Sequence, residues 1–276
     1  MPIVLALAAS LMWGVADFRG GLASRRHPLL TVIAVSQTAG LVALLAVVAV
    51  RGVDYAPEGL AAGVGAGLLG AIAISAFYRS LAIGSMSIAA PVLTTSAAIP
   101  VVAGLATGDR PSPLQSFGIA LALAGVILAA REPSSDHPAP AAQRRSFALA
   151  VVAMLAIGVQ LVLLSKAAET DPLLGVTATR ATSLGVVLIA AALLRPKMTR
   201  SALPDLAMIG VLDAFATLAF AAATTGAFLS IVAVLSALYP VVTVALAHRH
   251  LGERLAVPQR LGVVLALLGA GAISAG

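Results

Sequence analysis

The chain has 276 residues, 60% of them hydrophobic and only 10% charged, and its mean hydropathy of +1.05 excludes an ordinary soluble domain, where about a quarter of residues are charged. Its formal charge of +6 sits in short gaps between apolar runs, so it reads as a topology signal rather than a nucleic-acid surface. The absence of cysteine excludes disulfides and thiolate chemistry.

A bilayer core takes roughly 20 residues of helix. Ten apolar runs meet that criterion, at residues 3–19, 28–50, 58–82, 87–107 and 114–131, then 146–166, 172–194, 205–225, 228–247 and 258–275. The first begins at Ile3 without a basic leader and runs past signal-peptide length, so it is expected to be a spanning helix. None shows the alternating polarity of barrel strands.

Gly108–Gly125 (GDRPSPLQSFGIALALAG) recurs as Gly252–Gly269 (GERLAVPQRLGVVLALLG), an offset of 144 that also aligns Gly14 with Gly158 and Arg51 with Arg195. The expected fold is therefore all-α and membrane-integral: residues 1–131 form one five-helix repeat, 132–145 a cytoplasmic linker and 146–276 a second repeat. With five helices per copy the second repeat enters the membrane in the opposite sense, giving ten transmembrane helices as two inverted repeats. Charge supports this arrangement. Twelve basic residues, among them Arg19, Arg25, Arg26, Arg144, Arg145 and Arg249, sort to one face, and only Arg51, Arg110 and Lys166 to the other. The positive-inside rule places the linker in the cytoplasm and both termini outside.

Small residues mark packing faces. Gly59, Gly63, Gly67, Ala71 and Ser75 recur every fourth residue along helix 3, and Gly118, Ala122 and Gly125 match Gly262, Ala266 and Gly269. Helices 5 and 10 are expected to pack together between the two halves.

The paired five-helix pattern, the Gly-Asp/Glu-Arg turns before helices 5 and 10, Trp13-Gly14 and the run Phe77-Tyr78-Arg79-Ser80-Leu81-Ala82 together resemble the EamA family of the drug/metabolite transporter superfamily. The resemblance covers almost the whole chain. It implies a multi-pass protein of the bacterial inner (plasma) membrane that carries small organic solutes, often outward. It also implies an arginine in helix 7, which Arg180 supplies, and one near Ser36 or Gln37, where Gln37 stands instead.

Ionisable groups at a helix centre cost about 2.5–3.5 kcal/mol on insertion scales, so those that persist face a cavity or a partner. Asp213 is a candidate for proton coupling or for a substrate amine, with a structural ion pair as the alternative. Arg180 either binds a substrate carboxylate or neutralises Asp213. Gln37, Tyr78 and Gln160 carry hydrogen-bonding groups that lipid leaves unsatisfied, and Trp13 is a candidate cavity wall. Arg79 is a further solute-binding candidate, or else snorkels to the interface. Asp17, beside Arg19, is expected at the interface.

Pro91 and Pro100 in helix 4 and Pro240 in helix 9 should bend those helices, turning Thr94 and Tyr239 toward a solute. The Gly-Asp/Glu-Arg turns are expected to be structural, with the acidic residue serving the helix that follows it.

These features point to secondary active transport of small organic metabolites such as amino acids by alternating access, with no cofactor or metal. Multidrug efflux and a non-transporting scaffold or sensor are the rivals. Aromatic content of 4% favours small polar solutes over a multidrug pocket. Neither H-E-x-x-H nor G-x-S-x-G occurs, so an enzyme is not expected. The expected partners are the solute and the lipid bilayer, not nucleic acid, for a monomer or homodimer.

Overall fold

The fold is described from a computed structural model covering residues 1–52, 57–83, 92–130, 140–194, 202–251 and 256–276. Its helices are α1 (Pro2–Ser24), α2 (Leu29–Arg51), α3 (Pro57–Ile83), α4 (Val92–Thr107) and α5 (Pro113–Ala129). The second half holds α6 (Pro140–Ala168), α7 (Pro172–Leu194), α8 (Leu203–Thr224), the two-part α9 (Leu229–Ser236 and Tyr239–Leu251) and α10 (Val257–Ala275). Among the described residues there are no strands, and eight helices are long and apolar enough to cross a membrane. The other two, α4 and α5, are shorter apolar helices.

Two boundaries differ from expectation. α1 runs on to Ser24, whose hydroxyl donates to Gly20 O at 2.8 Å inside the last turn. α6 begins at Pro140, so residues 140–145 of the expected linker are helical. Proline suits a first helical turn, where its missing N–H costs no bond. The early start also carries Ser146 to Ser80 of α3, where each hydroxyl donates to the other's carbonyl at 2.8 and 3.0 Å in a buried pair.

The inside of the bundle is built from small residues and the outside from large apolar ones. Ala6, Ala9, Ala122, Ala150 and Ala214 are fully buried, while Val4, Leu11, Val42, Ile189 and Leu267 are exposed as a lipid-facing belt. Lipid gives no hydrophobic drive for helices to associate, so close backbone approach must hold them together.

The glycines supply that approach. On α5, Gly118 faces Gly269 O and Gly125 faces Gly262 O, each 2.7 Å from where a Cβ would stand; Gly262 and Gly269 of α10 return the contact to Gly125 O and Gly118 O. The expected α5–α10 seam is therefore present. On α3, Gly63 and Gly67 lie against Gly175 and Thr179 of α7, and Thr179 donates to Gly63 O at 3.0 Å.

Each half's leading helices pack on the other half. α1 lies on α8 and α9, while α6 lies on α3 and α4; α2 packs against α8, and α7 against α3. The aligned glycines show the symmetry directly: Gly14 of α1 abuts Val242 of α9, and Gly158 of α6 abuts Ile99 of α4. Arg51, at the end of α2, pairs with Asp171 at 3.2 Å, immediately after the end of α6. Arg19, near the end of α1, pairs with Asp205 at the start of α8. α1 and α6 thus end on opposite faces of the bundle and run in opposite directions.

Candidate functional site

The interlocked halves place a polar cluster where α1, α2, α7, α8 and α9 meet. Arg180 of α7 is buried at 7% exposure. One guanidinium nitrogen, Nη1, donates to Gln37 Oε1 of α2 at 2.9 Å; the other, Nη2, donates to Asp213 Oδ2 of α8. Gln37 uses its other end to donate to Ser183 Oγ of α7 at 3.3 Å. Carbonyl and carboxylate thus divide the forked donor between two helices, which satisfies a cation that lipid cannot solvate.

Of the two readings left open for Arg180, the ion pair with Asp213 is the one present. Gln37, at the position where a second arginine was expected, serves as an acceptor for the first. A second guanidinium there would place like charges side by side in a low dielectric. Ser183, which completes the network, was not singled out from the sequence.

Asp17 is not paired with its neighbour Arg19. It was placed at the interface because Arg19 follows two residues later. In the structure Arg19 turns to Asp205 at 3.8 Å, and Asp17 makes no ion pair among the described residues. It is exposed, one turn from Trp13 on α1. The four-residue spacing from Trp13, which puts both side chains on one helix face, was the available signal.

Trp13 is half-buried, with its ring centroid 5.9 Å from Phe220 of α8 and 6.4 Å from Tyr239, to which it stands edge-on. Tyr239 owes its position to a helix break. Pro240 has no N–H for Ser236 O, and α9 stops at Ser236 and restarts at Tyr239. Beside the break the Ser236 hydroxyl donates from Oγ to Ala6 O of α1 at 3.3 Å.

α4 carries the matching irregularity, a 3-10 turn at Thr95–Ala97 just ahead of Pro100. Thr94 is buried beside it; Pro91 lies outside the described residues. Gln160 of α6 lays its carboxamide over Gly70 of α3. Arg79 is exposed near the end of α3, away from the Arg180 network, and the side chain of Tyr78 lies outside the described residues. Among the described residues no group of acidic and histidine side chains is arranged to hold a metal.

The Gly-Asp-Arg turn is structural in a different way from the one expected. Gly108 takes φ +124°, a conformation that favours glycine. Asp109 does not serve α5, which is capped by Ser112 through a capping box with Gln115. Instead its Oδ2 accepts from Ser230 N at 2.8 Å, capping α9 in the other half. The second copy of the turn, at 252–254, lies outside the described residues.

Residues 1–131 and 144–275 each match the model of the EamA-like transporter family. Comparison with curated proteins gave no match. Among solved structures, one similar chain, a crystal structure of a protein, superposes with a TM-score of 0.81 across 99% of this chain and 96% of its own, at 17% identity. That likeness is one of fold.

Proposed function

The chain belongs to the EamA-like transporter family, and on that premise we propose that it is a secondary active transporter exporting small organic metabolites, amino acids among them, by alternating access. The family consists of transporters rather than enzymes, and the apolar helices make this a multi-pass membrane protein. The reading adopts ten spans as two inverted repeats in a bacterial inner membrane, with the linker cytoplasmic and both termini outside.

One observation carries it. A charged and hydrogen-bonded network, Gln37–Arg180–Asp213, lies between helices of both halves, with the Asp213 side chain partly exposed. Ion pairs of this kind are costly inside a bilayer and mark solute or ion paths. The surrounding geometry supports rocking of the halves. α4 and α9 are interrupted at comparable positions, and glycine seams let backbones slide past one another without side chains to unlock.

A proton-coupled mode is favoured by a second carboxylate, Asp17, which lies within α1 and makes no ion pair among the described residues. The test is solute flux in cells and proteoliposomes containing the wild type or the isosteric Asp213→Asn variant at matched membrane levels.

A further inference from the structure

Asp17 carries a carboxylate inside a membrane-crossing helix, and among the described residues it makes no hydrogen bond and no ion pair. The cation nearest to it in sequence, Arg19, is held by Asp205. Trp13 lies one turn away on the same face of α1. Tyr239 stands edge-on to that indole at 6.4 Å, and its backbone lies against Gly14 of α1, one turn before Asp17. One exposed carboxylate and two aromatic rings therefore lie together where α1 meets α9.

The charge balance has a definite sign. Arg180 is buried and already bound to Asp213 and Gln37, so it is not available to an incoming anion. Ionised Asp17, with no cation partner among the described residues, is an uncompensated negative charge beside the two rings. A carboxylate-bearing anion meets repulsion there without a free donor. A protonated amine meets a carboxylate and the faces of aromatic rings, which attract cations through their quadrupoles.

We propose that Asp17, Trp13 and Tyr239 form a cation subsite that receives the protonated amine of the solute, so that the carried class is organic amines and carboxylate-only anions are rejected. This rests on the transporter reading and names its substrate class. Zwitterions enter by the same amine but bind more weakly than monocations of the same skeleton.

Trp13 is the sole tryptophan of the chain, so its fluorescence reports this subsite without a label. Purified full-length protein in detergent is titrated with phenethylamine, phenylalanine and 3-phenylpropionate, which share a ring and chain and carry net charges of plus one, zero and minus one. Phenethylamine is expected to change the emission saturably with the lowest Kd, and 3-phenylpropionate to give no saturable change. Asp17→Asn should raise the Kd for phenethylamine by about tenfold or more, equivalent to ~1.4 kcal/mol. Asp17→Glu should restore it. Tyr239→Leu, which keeps the charge and removes the ring, should raise it several-fold.

Three results overturn the proposal: no saturable response to phenethylamine, a Kd for 3-phenylpropionate as low as that for the amine, or an unchanged amine Kd in Asp17→Asn and Tyr239→Leu. Flux separates this failure from that of the transporter reading. Transport confined to anions ends the cation subsite and leaves the transporter standing; saturable amine binding with no flux of any solute does the reverse.

Discussion

Arg180 and Asp213 face each other from neighbouring helices with 2.5 Å between Nη2 and Oδ2, and the arginine is the deeper partner, its side chain 8% exposed against 38% for Asp213. Removing one partner of a buried pair strands the other, and the cost falls on whichever charge keeps less water. Asp213→Asn is therefore expected to destabilise the protein by about 3 kcal/mol, and Arg180→Gln by less. Thermal melting of the two variants in detergent checks the order; a larger loss for Arg180→Gln would reverse the assignment of the deeper charge.

Gln37 is the second anchor of the guanidinium. Gln37→Leu removes an acceptor from a charged donor, a loss of about 1.5–3 kcal/mol. Gln37→Arg places a like charge against Arg180 and should melt lower still. If Gln37→Arg melted at the wild-type temperature, the close Gln37–Arg180 contact would be in error.

The α5–α10 seam offers a steric test. At Gly125 a Cβ would stand 2.7 Å from Gly262 O, whereas at Gly271, also on this helix pair, nothing lies within 4 Å. Gly125→Ala is expected to cost about 1–3 kcal/mol, because a backbone has to move to admit the methyl. Gly271→Ala should leave the melting temperature unchanged. Equal effects at both positions would count against the packing described.

Asp109 links the halves by capping α9 from the end of α4. Asp109→Ala should cost about 1 kcal/mol, with most of it recovered in Asp109→Asn, which keeps an acceptor oxygen for Ser230 N–H. Hydrogen exchange at the start of α9 is the local readout, and it should quicken in Asp109→Ala alone.

Features written as local patterns were legible from the sequence: the repeat at offset 144, the glycine spacing that became the α5–α10 and α3–α7 contacts, and the proline that breaks α9 at Tyr239. Arg180 and Asp213 were recognisable as individual charges because lipid makes a lone charge conspicuous. Their pairing was one of two open readings, but the contact to Gln37 was not legible, since Gln37 and Arg180 are 143 positions apart and meet only through the interlocking of the halves. The sequence sets Arg19 beside Asp17, but the residue that claims Arg19 is Asp205, far along the chain. Asp109 likewise caps a helix 121 positions away rather than the one that follows it.

The central claim is that this chain moves a small organic solute through the bundle beside Arg180 and Asp213. Its most direct test is metabolite profiling, inside and outside cells, of a strain lacking the protein against strains producing the wild type or Asp213→Asn at matched membrane levels. The account predicts a solute whose external pool rises with the wild type and falls back toward the deletion level with the variant. No difference in any solute, with the wild type correctly inserted, would contradict it.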